Sequence, residues 1–123
     1  MVIWRRQLRA ALQAIAQPAS IQNTLFPEFV EPAPELVEDL EDALHAMKFA
    51  ATPEELEVEM KAVQTIVDLL SSFPNIDETF WSRSALSTDS RWEDARALSR
   101  QVLQALGWES DPPSESFATY VRG

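Results

Sequence analysis

The residues best suited to chemistry lie in one acidic stretch. Glu38-x-x-Glu41 is followed, after twelve intervening residues, by Glu54-x-x-Glu57, and Asp42-x-x-His45 sits between them. Residues three or four apart are neighbours on a helix surface, so each pair would present its two groups together. Two acidic pairs on adjacent antiparallel helices could hold Mg²⁺, a hard cation that takes oxygen ligands.

The two ExxE pairs resemble the ExxE and later ExxD motif of the MazG-type all-α nucleotide pyrophosphohydrolases. The resemblance implies a Mg²⁺-dependent hydrolase holding its metal through Glu38, Glu41, Glu54 and Glu57. The chain departs from the pattern at Glu57, where the family has Asp, and ExxE recurs at Glu35/Glu38 within the same segment. Asp42-x-x-His45 resembles the Glu-x-x-His element of di-iron bundles, but those sites draw histidines from two helices and His45 is the only histidine here. Helical phase argues for a solvated acidic face. At ~100° per residue Glu38 falls about 160° from the apolar stripe of its own helix, whereas a metal site in a bundle core needs inward carboxylates.

The remaining routes to chemistry are narrow. The chain has no cysteine, which removes disulfides, thiolate metal sites and a cysteine nucleophile. No GxSxG elbow, GxxxxGK[ST] loop or GxGxxG turn occurs. The expectation is therefore no catalytic residue, no cofactor and no metal.

The elements that must position these groups are helices. With 123 residues the chain fits one domain, and its two glycines are too few for a turn-rich β fold. Trp4, Leu8, Ala11, Leu12 and Ile15 recur at helical spacing and predict a first helix over about 2–17, closed by Pro18. Leu36, Val37, Leu40, Ala43, Leu44 and Met47 predict a second over about 34–49. Thr52-Pro53-Glu54-Glu55 spells a capping box with proline at the first helical position, opening a third that runs to about 72. Its stripe of Leu56, Met60, Val63, Val67 and Leu70, widened by Ile66 and Leu69, is broad enough for two neighbours. A short helix is expected at about 77–86, and a last one over about 90–106 with a second capping box at Ser90 and Glu93. Gly107 then falls where a left-handed residue closes a helix, with Trp108 placed for the accompanying apolar contact. The predicted fold is an all-α single-domain bundle of four to five helices around an αα-hairpin at about 34–73. Residues 1–108 form the domain, and 109–123 form a polar, partly mobile tail in which Phe117, Tyr120 and Val121 are spaced as if to dock.

The irregular segments carry surplus apolar groups. Leu25, Phe26, Phe29 and Val30 lie in the proline-rich connector 18–33. Large apolar side chains are usually buried, so a loop pinned across the bundle is the plainer expectation, and a binding loop exposing phenylalanines is the alternative. Trp4 and Trp92 fall on core faces. Trp81, in the mixed aromatic and polar run Phe80-Trp81-Ser82-Arg83, is the tryptophan expected at an interface.

Charge decides between classes of partner. The chain carries a formal −10, against binding nucleic acid through its phosphates. Residues 28–78 hold 14 acidic and 2 basic side chains, whereas the first 27 residues hold three arginines and no acid. Those arginines interrupt the amino-terminal apolar positions at helical spacing, unlike a secretory signal, and no stretch is long and apolar enough to span a membrane. These features point to a cytoplasmic protein with neither membrane nor direct nucleic-acid contact.

The expected function is a non-catalytic inhibitor of the bacterial immunity-protein kind. It would neutralise a toxin or a nucleic-acid- or nucleotide-acting enzyme whose basic face meets the acidic helices. The expected contact residues are Glu38, Glu41, Asp42, Glu54 and Glu57, with Phe26, Phe29 and Trp81 as aromatic anchors. A structural, adaptor or chaperone module is the alternative, and the Mg²⁺-dependent pyrophosphohydrolase is the third.

Overall fold

The computed structural model describes residues 3–113. Among them are six helices and no strand: α1 (Ile3–Ala16), α2 (Ala19–Gln22), α3 (Pro32–Ala50), α4 (Pro53–Ser71), α5 (Ala85–Thr88) and α6 (Ser90–Ala105). The class is all-α, with four long helices and two single turns. None is long and apolar enough to cross a membrane.

The contacts fix the course of the chain. Arg83 donates to the carbonyls of Asn23 and Val30, so α3 begins at the end of the molecule where α1 stops. Arg5, near the start of α1, reaches Glu55 and Glu59 in the first two turns of α4, so α4 begins where α1 begins. Phe73, just past α4, packs on Phe80 and on Trp92 at the start of α6. Arg96 and Arg100 reach Gln22 and the Ala16 carbonyl, which sets α6 antiparallel to α1. The long helices therefore run up, down, up and down.

The helix on which the others converge is α1. It packs against α3 on one side and α6 on the other, and α4 packs on α6. The αα pair of α3 and α4 forms with the expected two-residue break, but the two helices touch little beyond it. The reason lies in α1. Every residue from Ala11 to Gln17 is buried, glutamines included, so the second half of this helix is enclosed on all sides.

Enclosure leaves the end of α1 without water. The last four carbonyls of a helix have no partner inside it, and α1 has no basic residue in its last turn. Side chains donate to each of the four, and the Gln17 amide adds a bond to the Ala14 carbonyl. Gln17 donates to the Gln13 carbonyl, Gln22 to those of Ala14 and Ile15, and Arg100 to that of Ala16. Gln13 and Gln17 donate in turn to the carbonyls of Glu109 and Ser110, fastening the chain beyond α6 to α1. Phe117, Tyr120 and Val121 lie outside the described residues.

The local signals are met unevenly. Thr52 caps α4 through the full capping box: its hydroxyl accepts from the Glu55 amide, and the Glu55 carboxylate accepts from the Thr52 amide. Gly107 adopts φ +72°, and the Trp108 and Gly107 amides donate to the carbonyls of Leu103 and Gln104, the Schellman closure. Three expectations need correction. α3 starts at Pro32 rather than Pro34, because proline is tolerated throughout a first turn whose amides have no partner. α6 is capped by Asp89, which accepts from the Arg91 amide and grips its guanidinium, so the expected box at Ser90 does not form. The helix expected over 77–86 is a series of turns. Asp77 accepts from the amides of Thr79 and Phe80 through its carboxylate and from that of Trp81 through its carbonyl, an isolated turn, and only Ala85–Thr88 goes on to form a helix. Side-chain-to-backbone bonds from Ser82, Ser87 and Thr88 compete with helix continuation there.

Trp4 and Trp92 join the core as expected, and Trp92 donates its indole N–H to the Phe80 carbonyl. Phe73, Phe80, Trp81 and Trp92 form one aromatic cluster, with Phe80 stacked on Trp92 at 5.2 Å.

Candidate functional site

Glu38, Glu41, Asp42 and His45 stand exposed on one stripe of α3, at spacings of three, four and seven. Glu54 and Glu57 stand exposed on α4. None of these carboxylates takes part in an ion pair among the described residues, so their charge faces solvent. They do not gather. Among the described residues no three acidic or histidine side chains converge on a point that could hold a metal ion. The slight packing between α3 and α4 accounts for this, since the two ExxE pairs ride on helices that barely meet.

The connector 18–33 divides between its two readings. Phe26 is buried at 6% exposure and joins the core. Its place among the expected contact residues is therefore corrected: the ring is not presented to a partner. Phe29, three residues on, is 79% exposed. The loop takes this form because Arg83 clamps it. Its two terminal nitrogens reach the Asn23 carbonyl at 3.3 Å, the Asn23 side-chain oxygen at 3.4 Å, the Glu28 carbonyl at 3.5 Å and the Val30 carbonyl at 3.1 Å. The spacing of apolar residues gave no sign of this, because the clamp comes from more than fifty residues away.

The clamp brings the connector against the segment after α4 and forms a shallow, open groove of about 560 Å³. Glu31, Pro34, Glu78, Trp81, Ser82, Arg83 and Ser84 line it. Trp81 is half-buried. Its indole N–H is held by the Pro74 carbonyl at 2.9 Å, and its ring meets Phe73, Phe80 and Trp92 at 76°, 88° and 76°. Of the expected aromatic contacts Trp81 stands in the wall of this groove, whereas Phe29 is not among its lining residues and stands exposed on the connector.

One cluster was absent from the expectations. Glu59 is buried in the centre of the α4 stripe, and Arg5 reaches its Oε1 at 3.3 Å while also reaching Glu55 at 3.1 Å. The Arg5 guanidinium lies 4.8 Å from the Trp4 ring centre. The other Glu59 oxygen is buried with no hydrogen-bond partner, as is the Ser99 hydroxyl in α6. A signal existed: Glu59 falls three residues after Leu56 and four before Val63, an acid on an apolar stripe.

The electrostatics follow these contacts. The amide and hydroxyl of Thr52, with Arg5 adding a smaller attraction, hold the Glu55 carboxyl below its ordinary pKa. The side-chain bonds from Arg91 do the same to Asp89, and Asp89 in turn raises the Arg91 guanidinium. Burial lowers Arg96, which donates to the Leu86 carbonyl at 2.6 Å. All of these groups brace the fold, and none of them lines the groove. No protein-family model matches the chain, and neither a curated protein nor a solved structure does.

Proposed function

We propose that this protein is a non-catalytic, protein-binding inhibitor of the immunity type. It neutralises a toxin or a nucleic-acid- or nucleotide-acting enzyme by covering a basic face of it. The observation that carries the reading is the set of five carboxylates, Glu38, Glu41, Asp42, Glu54 and Glu57, standing exposed and, among the described residues, outside ion pairs. Enzymes that act on nucleic acids or nucleotides have basic clefts, and complementary charge speeds encounter and selects among partners. These groups stand on regular helices, so little backbone ordering entropy opposes binding.

The test is a charge reversal on purified protein. Glu38→Lys, Asp42→Lys and Glu54→Lys together leave the fold intact: exposed charges usually change stability by less than about 0.5 kcal/mol, and Glu54→Lys, in the first turn of α4, adds a helix-dipole cost of about 0.3–1 kcal/mol. The triple variant loses affinity for the co-purified partner and no longer blocks that partner's activity. Unchanged affinity with unchanged salt dependence would rule out the acidic helices as the binding face.

The adaptor or chaperone reading has its own support. Ile3, Phe49 and Val58 are exposed, and the course of the chain puts the start of α1, the end of α3 and the start of α4 at the same end of the molecule. Of the broad α4 stripe only Val63 and Ile66 are buried, with Glu59 one turn before Val63, and Leu56, Met60, Val67, Leu69 and Leu70 are half-buried. A stable homodimer at micromolar concentration, measured by sedimentation, would favour that reading over the inhibitor.

A further inference from the structure

We propose that the groove between residues 31–34 and 78–84 is a docking site for an arginine side chain of a protein partner, flanked in that partner by apolar residues. The inference rests on the protein-binding reading and adds a second contact, away from the α3 and α4 carboxylates.

Three observations carry it. The first is charge. Glu31 and Glu78 are both exposed, and both line the groove. The one cation in its wall among the described residues, Arg83, is turned to the connector and spends both terminal nitrogens on the oxygens of Asn23, Glu28 and Val30. An incoming cation therefore meets two carboxylates that, among the described residues, have no hydrogen-bond or ion-pair partner. The second is the ring. Trp81 meets its three aromatic neighbours near right angles, and among the described residues no ring lies flat against it. Elsewhere this protein already sets a guanidinium over an aromatic ring, Arg5 on Trp4 at 4.8 Å and Arg91 on Phe80 at 4.4 Å. Trp81 has no such partner among the described residues, and tryptophan is the best of the three aromatic side chains for a cation. The third is preorganisation. The Arg83 clamp and the Trp81–Pro74 bond fix both walls before anything binds, which lowers the ordering cost.

Arginine fits better than lysine. Its planar guanidinium stacks on a ring while its edge donates to carboxylates, whereas an ammonium is a hydrated point charge. Flanking apolar residues are expected because Pro34 lines the groove and Phe29 stands 79% exposed on the adjoining loop. Glu31 and Glu78 act by direct contact, and Arg83 is a positioning residue.

The experiment follows the indole N–H signals of the full chain by two-dimensional ¹H–¹⁵N NMR, with Trp81 assigned from Trp81→Phe. The probe is the peptide acetyl-Leu-Arg-Leu-amide, and acetyl-Leu-Glu-Leu-amide is the control. The arginine peptide shifts the Trp81 indole and the amides of Ser82 and Ser84 with a dissociation constant on the order of 1 mM, the weak end of specific binding. The glutamate peptide does not. Glu31→Gln with Glu78→Gln weakens the arginine peptide at least fivefold while the rest of the spectrum stays in place. The proposal is overturned if Trp81 does not respond, or if the double variant binds as the wild type does. The Glu38→Lys, Asp42→Lys, Glu54→Lys variant separates this failure from that of the acidic-helix reading. If it weakens the peptide as much as the groove variant does, the attraction is to net charge and the groove is not a site. If it leaves the peptide within twofold and still abolishes inhibition of the partner, both readings stand.

Discussion

Replacing Arg5 by Met would destabilise the protein through a group it leaves behind. Glu59 keeps only 8% of its side-chain exposure, and Arg5 is its ion-pair partner at 3.3 Å. At an effective dielectric near 20 two unit charges about 4 Å apart attract by roughly 4 kcal/mol. Removing one partner of a fully buried pair costs about 3–5 kcal/mol, because the other charge stays buried without compensation. Arg5 is one-third exposed and is shared with Glu55, so water screens the pair and the expected loss falls to about 2–3 kcal/mol. Glu59→Met should behave oppositely. It removes the buried charge and the unpartnered oxygen together and leaves Arg5 on Glu55, so the change should lie within about 1 kcal/mol of zero. In the double variant the penalty of Arg5→Met should largely vanish, giving a coupling of about 2 kcal/mol. Urea unfolding of the four proteins measures this. With a slope near 1.5 kcal/mol per molar, Arg5→Met moves the midpoint down by roughly 1.5 M. A shift under about 0.3 M for Arg5→Met would refute the reasoning. So would a loss for Glu59→Met as large as that for Arg5→Met, because the buried carboxylate would then be a net source of stability.

Further predictions rest on other local contacts. Gln22→Leu leaves the buried carbonyl of Ile15 without its donor, and that of Ala14 with only the Gln17 amide at 3.4 Å, and should cost about 1–3 kcal/mol in the same unfolding assay. Thr52→Ala should cost about 1 kcal/mol and Thr52→Ser much less, because the hydroxyl that caps α4 is retained in serine. Gly107→Ala should cost about 1 kcal/mol from backbone strain at φ +72° alone, since an added Cβ meets no atom within 4 Å; thermal melts of Gly107→Ala and Gly107→Asn would show the smaller loss in asparagine. Glu55 and Asp89 have folded pKa values below their ordinary values of 4.5 and 3.8, so their contribution to stability is complete above those values. It is lost as pH falls through the lower, folded values. Unfolding midpoints measured from pH 6 to pH 2 should fall less steeply in Glu55→Gln than in the wild type.

The local signals in the sequence were readable because they depend on neighbours in the chain. Thr52 with Glu55, Gly107 with Trp108, and the stripes of α1, α3 and α4 each need only a few adjacent residues. What was not readable came from contacts across the chain. α1 is central because Gln13, Gln17, Gln22 and Arg100 satisfy its end, and glutamines spaced like surface residues gave no hint of burial. Asp89 displaced Ser90 as the cap because its carboxylate also holds the Arg91 side chain, a bond a serine cannot match. Trp81 could be singled out by type, yet only the Arg83 clamp brings the connector against it and forms the groove it lines. Phe26 and Phe29 have the same chemistry three residues apart, and the fold sends one inward and the other out.

The most direct test of the central claim is the affinity of the purified protein for the partner recovered with it from its source organism. It is measured by calorimetry at 50 and 300 mM salt, beside the Glu38→Lys, Asp42→Lys, Glu54→Lys variant. The account predicts a single basic partner bound one to one, at least tenfold weaker binding at the higher salt, and loss of both binding and inhibition in the variant. A partner that binds the variant as tightly as the wild type, with no dependence on salt, would contradict it.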